Sequence, residues 1–212
     1  VIIPAFGRSE LLIRCLKSLN TGQKAEFEVC VVDDGSKMDG NKISEEASFT
    51  CPLIWRSFEK QKGRSAARNE GVRATSGEII VFLDSDMEVM EGFIDFHLKI
   101  HTDNPGSAAI GKIIWPESGS FYRYIGSRGV NKLKRAINVP PWYFVTGNSS
   151  VERKDLPAGN PFDETISGWG GEDLELGLTL RDSGVKFVFA NEAVSFHNFT
   201  GTLENHIART YN

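Results

Sequence analysis

The sequence has few cysteines and no apolar run of membrane-spanning length. Its three cysteines, Cys15, Cys30 and Cys51, are odd in number and show no Cys-x-x-Cys spacing. We interpret them as reduced, mostly buried residues in a cytoplasmic setting. No stretch approaches the ~20 apolar residues that cross a bilayer, and no signal peptide is visible.

A broad basic surface is also missing. With 24 Lys and Arg against 28 Asp and Glu, the formal net charge is -4, which disfavours a nucleic-acid partner. The short basic run at 131–135 is typical of a solvated loop, although it could flank an anionic ligand or a membrane surface. The hydrophobic content of 40% and the charged content of 25% are ordinary for a globular domain.

The chain opens on "VIIPAF", which has the pattern of a strand already under way, and it has no initiator Met. We therefore expect these residues to be part of a longer protein. Segments that attach it to a membrane could lie outside them, so the expected location is the cytoplasm, including the inner face of a membrane. The sequence does not indicate an oligomeric state.

Short apolar runs alternate with amphipathic stretches along the chain. In the first part we predict strands and helices at 1–3, 9–19, 27–32, 39–48, 53–55, 63–75 and 78–83, with Ser9 capping the first helix and Pro4 ending the first strand. Later elements are expected at 91–102, 107–114, 142–152, 172–184 and 186–190. The alternation predicts one α/β domain built on a parallel sheet.

Two acids follow the most apolar of these strands. In "VFLDSDMEV" (81–89), Asp84 and Asp86 are spaced i and i+2, at the edge where open α/β sheets bind ligands. A shared hard cation such as Mg²⁺ or Mn²⁺ would offset their mutual repulsion. The alternative is a solvated turn after the strand, and we interpret Glu88 as a solvated residue.

Two further segments could bind a nucleotide. Asp33 and Asp34 in "VVDDGS" could accept hydrogen bonds from a base or ribose, although Asp-Gly is also a common turn. In "KGRSAARNEG" Arg64 and Arg68 lie four residues apart on one helical face. Arg64 is close to the predicted helix N-terminus, where anions bind well. Surface positions for both arginines are the alternative.

A glycine-rich stretch near the end of the chain, "SGWGGEDLELG" (167–177), precedes a predicted helix. Its acids Glu172 and Asp173 could simply complement the helix dipole. A carboxylate base beside the Trp169 ring is the functional interpretation, with the glycines allowing closure over a substrate. His197 follows a predicted strand, either as a structural residue or as part of a metal shell.

Taken in order, six segments resemble family 2 glycosyltransferases with a GT-A fold: "VIIPAF", "VVDDGS", "KGRSAARNEG", "FLDSDMEV", "GWGGEDLELG" and "FH". The Gly-Trp-Gly-Gly-Glu-Asp run is also similar to that of β-1,4-galactosyltransferases and of the glycosyltransferase domains of chondroitin-type polymerases. The resemblance implies one Rossmann-like domain over 1–212 with a central, mostly parallel sheet flanked by helices. Within it, 1–114 would bind the nucleotide sugar, and 115–212 would bind the acceptor and carry the catalytic base.

The resemblance also implies a role for each matching residue. The nucleotide would be bound by residues of the first four segments: Pro4, Ala5, Phe6, Asp33, Asp34, Arg64, Asp84 and Ser85. Asp86 would be the main ligand of Mn²⁺ or Mg²⁺, with His197 a second ligand. Asp173 would be the catalytic base, and its neighbours would bind sugar: Trp169, Gly170, Gly171 and Glu172.

The implied reaction is metal-dependent, inverting transfer of a hexose or N-acetylhexosamine from a UDP-sugar to a hydroxyl of a glycan or lipid-linked acceptor, in polysaccharide or glycan synthesis. A retaining UDP-GalNAc-type transferase is one alternative, because mucin-type enzymes carry a similar Trp-Gly-Gly-Glu run. A non-catalytic nucleotide- or carbohydrate-binding module is another. A nucleotidyltransferase is disfavoured, because "PAFGRSE" offers only Gly7 and Arg8 where a glycine-rich basic phosphate loop is expected.

Overall fold

The protein is described here from a computed structural model, which covers residues 1–115, 138–166 and 171–198. Its strands are β1 (Ile2–Ala5), β2 (Val29–Asp33), β3 (Leu53–Ser57), β4 (Ile79–Leu83), β5 (Met87–Val89), β6 (Ser107–Ile114), β7 (Asn148–Glu152) and β8 (Lys186–His197). The helices are α1 (Ser9–Leu19), α2 (Gly40–Ala47), α3 (Arg64–Ala74), α4 (Phe93–Asp103) and α5 (Glu172–Asp182). Short 3-10 turns lie at Pro141–Tyr143 and Arg153–Asp155. None of the helices in these ranges is long and apolar enough to cross a membrane.

All eight strands form one sheet in the order β3-β2-β1-β4-β7-β6-β8-β5. β3, β2, β1 and β4 are parallel to one another. β7 is antiparallel to both β4 and β6, so β6 and β8 again run with the first four strands. β5 pairs antiparallel with β8 at the far edge. The predicted α/β architecture with a mostly parallel central sheet is therefore confirmed.

Consecutive residues of the buried strands face opposite sides of the sheet. Ile3 and Val81 contribute to a core with side chains from α1 and α4. Their neighbours Ile2 and Phe82 contribute to a second core on the other face, with side chains from α3 and α5. Both cores include residues from before and after position 114. The division into functional halves at 114 and 115 stays a prediction, and the two parts share their packing.

The first strand and first helix differ in detail from the sequence expectations. β1 continues through Pro4 to Ala5, because Pro4 aligns with Val32 in the parallel register and its fixed φ suits an extended chain. Ser9 is the first residue of α1, not its cap. The N-cap is Arg8, in the left-handed region at φ 50°, with no side-chain hydrogen bond to the helix.

The last strand is much longer than predicted. The expectation ended it at Ala190, before the polar pair Asn191 and Glu192. In the structure Gly111 pairs with Ala190 and Lys112 with Val194, so residues 191–193 bulge out and β8 then resumes. The resumed part carries His197 and pairs with β5, a three-residue strand that sequence periodicity did not reveal.

Candidate active site

Three parallel strands bring predicted site residues to one edge of the sheet. β1, β2 and β4 end at Ala5, Asp33 and Leu83. The carboxyl ends of parallel strands form the edge at which open α/β sheets bind ligands. Phe6 follows β1 and is 53% exposed there, and Asp84 follows β4. An exposed aromatic ring at such an edge is available to stack on a planar ligand.

Asp33 organises the loops that follow β1 and β2. Its Oδ1 accepts hydrogen bonds from the backbone N–H of Ser36 at 3.0 Å and from the Ser36 hydroxyl, and its Oδ2 accepts one from Met38 N–H at 3.0 Å. The Ser36 oxygen in turn accepts from Gly7 N–H at 2.8 Å. The two loops are thus joined through one buried carboxylate. The nucleotide-binding role of Asp33 stays a prediction.

Asp34 is buried against the N-terminal turn of α3. Its Oδ1 accepts from Lys62 N–H at 2.7 Å, and its two oxygens lie 3.2 and 3.0 Å from Gly63 N. Gly63 is the N-cap residue of α3, with φ 97°. A carboxylate at this position is favoured by the helix dipole. Asp34 therefore accepts hydrogen bonds at the start of α3, next to Arg64, and the predicted roles of Asp34 and Arg64 in nucleotide binding stay predictions.

A buried arginine connects residues that the sequence predicts to bind the nucleotide with residues predicted to bind the acceptor. Arg68, 2% exposed, donates from Nη1 to Glu172 Oε1 at 3.2 Å and from Nη2 to Asp84 Oδ1 at 3.1 Å. Asp173 Oδ1 lies 3.9 Å from Arg68 Nη1, and Arg64 Nη2 lies 3.0 Å from Glu172 Oε1. Burial alone lowers the pKa of Arg68, but Asp173, Asp84 and Glu172 outweigh it and raise that pKa above its ordinary value. The guanidinium therefore stays charged among three carboxylates.

Asp173, the predicted base, lies in the first turn of α5 and is held by Thr146. The Thr146 hydroxyl donates to Oδ1 at 2.6 Å, and its backbone N–H donates to Oδ2 at 3.3 Å. Burial raises the pKa of Asp173; Arg68 and the Thr146 hydrogen bond lower it, and Glu172 and Asp84 raise it, so that the net pKa lies above its ordinary value. A carboxylate with a raised pKa is a stronger proton acceptor near neutral pH.

The predicted metal ligands Asp86 and His197 also lie together. β5 and β8 pair with Met87 opposite His197, and Asp86 Oδ2 is 3.8 Å from His197 Nε2. Trp115, at the end of β6, stacks on the His197 ring with centroids 4.2 Å apart and planes inclined by 16°. Burial raises the pKa of Asp86, His197 lowers it and Asp84 raises it, and the net pKa lies above the ordinary value.

The spacing of this pair can be compared with that of a Mg²⁺ site. With bonds of about 2.1 Å in an octahedron, neighbouring ligand atoms lie ~3.0 Å apart and opposite ones ~4.2 Å apart. The separation of 3.8 Å lies between the two values, so a side chain would have to shift for both residues to bind one ion. Over 1–115, 138–166 and 171–198, no group of three or more His, Cys, Asp or Glu side chains is placed to hold a metal. Mg²⁺ is commonly bound by one or two protein groups together with water and substrate phosphates.

Several predicted residues have other placements. Trp169 and Gly170 lie outside the described residues, whereas Gly171 is the N-cap of α5 with φ 102°. Glu88, interpreted as solvated, keeps 32% of its side chain exposed, and in addition it forms an ion pair with Arg14 at 2.6 Å and accepts through Oε1 from Asn198 at 2.7 Å. Pro4 and Ala5 are buried in β1, and Ser85 lies in the turn after Asp84.

Sequence reasoning missed three residues of this site. Arg68 was recognised only through its spacing from Arg64, and its contacts with acids 16 to 104 positions away left no local signal. Thr146 is 27 positions from its partner Asp173. Trp115 meets His197 only because β6 and β8 are paired. In each case the two partners are brought together by the tertiary fold, which a single sequence does not display.

Several known proteins are similar to this chain in sequence. An uncharacterized glycosyltransferase of Bacillus subtilis, YfnE, is 28% identical over 93% of this chain and 64% of its own length. The chondroitin synthase of Escherichia coli is 25% identical over 99% of this chain and 36% of its own. Validoxylamine A glucosyltransferase of Streptomyces hygroscopicus is 25% identical over 91% and 53%. The chain therefore spans less than two thirds of each of these relatives.

Solved structures and family models complete the comparison. The crystal structure of S. aureus TarS 1-349 superposes with a TM-score of 0.73 at 18% identity, over 92% of this chain and 59% of that one. Its complex with UDP gives 0.73 at 20% identity, over 92% and 58%. These likenesses confirm the GT-A fold. The model for the N-terminal domain of galactosyltransferase matches residues 128–202, and that for glycosyl transferase family 2 matches residues 1–156. The chain belongs to glycosyl transferase family 2.

Proposed function

We propose that the protein transfers a hexose or N-acetylhexosamine from a UDP-sugar to an acceptor hydroxyl, with inversion at the anomeric carbon. One observation carries the proposal: Asp84 on the predicted donor side and Glu172 on the predicted acceptor side are bound to the same buried Arg68 guanidinium, with Asp173 beside it. The family assignment supports transfer, and the TarS structure solved with UDP supports a uridine nucleotide.

In the proposed reaction Asp173 removes the proton of the acceptor hydroxyl as its oxygen attacks the anomeric carbon. The bond from that carbon to the diphosphate oxygen breaks, and its electron pair leaves with the UDP. Only one displacement occurs, so the anomeric configuration inverts. The raised pKa of Asp173 suits this role, because the carboxylate accepts a proton readily once the hydroxyl begins to form its new bond.

On the donor side, Asp84, Ser85 and the Phe6 edge of the sheet are proposed to bind the nucleotide, with Arg64 near the base or diphosphate. Asp86 and His197 would hold Mn²⁺ or Mg²⁺. Such an ion supplies positive charge that stabilises the leaving diphosphate. A glycan or lipid-linked acceptor is proposed from the resemblance to polymer-forming relatives, among them a chondroitin synthase.

The activity is tested by UDP release from UDP-glucose, UDP-galactose, UDP-N-acetylglucosamine and UDP-N-acetylgalactosamine, with Mn²⁺ and with Mg²⁺. At least one donor should be hydrolysed slowly without an acceptor. Asp173→Asn should lower that rate by on the order of 100-fold or more while UDP still binds, because general base catalysis contributes this much. Turnover by Asp173→Asn at the wild-type rate would exclude Asp173 as the base.

Metal dependence and stereochemistry are separate questions with separate measurements. Excess EDTA should abolish UDP release, and restored Mn²⁺ should recover it; full activity in EDTA would rule out the proposed ion. Once an acceptor is found, proton NMR of the product's anomeric signal should show inversion. A product with the donor's own configuration would instead indicate a retaining enzyme.

A further inference from the structure

A short buried segment connects the two carboxylates on which the proposed reaction depends. Thr146 binds Asp173 through its hydroxyl and its N–H, while the next residue, Gly147, accepts a hydrogen bond through its carbonyl oxygen from Asp84 N–H at 3.4 Å. A methyl group added to Gly147 would lie 3.1 Å from Asp84 Oδ2. Consecutive residues before β7 thus contact the donor-side and the acceptor-side carboxylate.

We propose that Thr146 is a positioning residue for the catalytic base, holding both carboxylate oxygens of Asp173 so that one face stays directed toward the acceptor hydroxyl. The inference rests on the proposed function, in which Asp173 takes the acceptor's proton. Rotation of the carboxylate would break at least one of its two bonds to Thr146, so these bonds select one orientation.

Thr146 is suited to this task by its place in the fold. It is fully buried and precedes β7, a strand paired on both sides, with β4 and β6. Its branched Cβ restricts the hydroxyl to few rotamers. Asp173, by contrast, lies two residues after Gly171, the N-cap of α5 with φ 102°, and keeps 26% of its side chain exposed. The buried Thr146 therefore fixes the orientation of the more accessible Asp173 carboxylate.

Charged groups surround Asp173, so the neutral Thr146 hydroxyl acts on its carboxylate differently from Arg68. Among the residues that the structure describes, the charged groups that act on Asp173 are the Arg68 cation of α3, at 3.9 Å, and two anions, Glu172 of α5 and Asp84 after β4. The Nη atoms of Arg68 already donate to Glu172 and Asp84. The Thr146 hydroxyl, at 2.6 Å from Oδ1, makes the shortest contact with the carboxylate and stabilises its charged form without neutralising it.

The experiment compares Thr146→Val, which keeps the shape and removes the hydroxyl, with Thr146→Ser, which keeps the hydroxyl. UDP release is measured in the full chain from the fastest donor of the four UDP-sugars above, with water as acceptor, across acid and neutral pH. Thr179→Val is the matched control. It removes a hydroxyl that donates to a carboxylate, Glu175, at 3.1 Å in α5, the helix that also carries Asp173.

Thr146→Val should lower kcat on the order of tenfold and leave UDP affinity unchanged. Loss of a hydrogen bond to the charged carboxylate raises the pKa of Asp173, so the acid limb of the pH profile should move up by about one pH unit. Thr146→Ser should keep both the wild-type kcat and the wild-type position of the acid limb. Thr179→Val should match the wild type in both. Should Thr146→Val fail to fold, Thr146→Ala removes the same hydroxyl with a smaller side chain.

The outcomes separate this inference from the proposed function. An inactive Asp173→Asn beside a Thr146→Val with wild-type rate and pH profile would refute the role of Thr146 and leave the base in place. A downward shift of the acid limb would also refute it, because Asp173 would then have turned onto Arg68. A lower unfolding temperature with an unchanged limb would make Thr146 a structural residue. An active Asp173→Asn would refute both the role of Asp173 as the base and the role of Thr146 in positioning it.

Discussion

At the scale of single residues, the site holds several negative charges close together, an arrangement that does not favour folding. Asp84, Glu172 and Asp173 surround one buried guanidinium, and the pKa of Asp173 is raised chiefly by burial. A carboxylate of this kind destabilises the folded chain at neutral pH, because its charged form is less favourable there than in the unfolded chain. Functional groups commonly carry such a cost.

Asp173→Asn should therefore raise the free energy of unfolding at pH 7 as it removes activity. The folded-state pKa is raised, so the wild type is free of this cost below the ordinary aspartate pKa of about 3.9 and carries it fully above the folded-state value. The gain in the variant should grow as pH rises through that window. Thermal unfolding at several pH values measures it.

The control for this measurement is Asp182→Asn, at the exposed end of the same helix, where an ion pair with Arg181 is solvated and contributes little. It should change stability only slightly at any pH. A less stable Asp173→Asn at pH 7 would show that pairing with Arg68 outweighs the burial of the charge.

At the scale of elements, α5 is positioned by a close backbone approach. Gly177 in α5 faces the 3-10 turn at Pro141–Tyr143, where an added Cβ would lie 2.7 Å from Pro141 O and 3.3 Å from Phe144 Cβ. The same helix begins with Glu172 and Asp173. The contact therefore sets where both acids stand relative to Arg68.

Gly177→Ala should lower the free energy of unfolding by about 1 kcal/mol. Overpacking costs ~1–3 kcal/mol, and the gain from replacing a helical glycine offsets up to ~1 kcal/mol of that cost. Denaturant unfolding measures the change. Gly77→Ala is the control, because a Cβ added there would lie 3.6 Å from Ile79 O, an ordinary van der Waals contact. Equal free energies of unfolding in the two variants would mean that α5 can move away from Pro141 without a loss of stability.

The elements with strong periodicity could be predicted from the sequence, and those that depend on pairing could not. β6 was predicted with its exact bounds at 107–114, and the prediction of α3 differed by one residue at each end. β5 has three residues and exists through its pairing with β8. The Asp-x-Asp and Glu-Asp acids could be recognised by type and order, but Thr146 and Arg68 required the fold to bring distant residues together.

At the scale of the whole molecule, the sheet is completed out of chain order. β7, at 148–152, lies between β4 and β6, which precede it in sequence. β6 also needs β8 on its other side. The two predicted halves of the chain are therefore interleaved in one sheet, and the donor half by itself lacks the strand that joins β4 to β6.

A fragment of residues 1–114 should consequently fail to unfold cooperatively, although it contains every predicted nucleotide-binding residue. Its β4 and β6 edges would both be unpaired, and its cores would lack the later side chains. Circular dichroism during thermal unfolding checks this, with residues 1–212 as the comparison. A sharp, reversible transition in the fragment would show that the first half folds alone.

The position of β7 late in the sequence also affects the order in which the sheet can form during synthesis. As the chain emerges during synthesis, β1 to β4 can pair early, yet the free edge of β4 stays open until residue 152 is available. Unpaired strand edges invite association with other chains. During the interval between the completion of β4 and that of β7, the edge of β4 in a nascent chain is thus open to association with other chains, and slower elongation there would lengthen that interval.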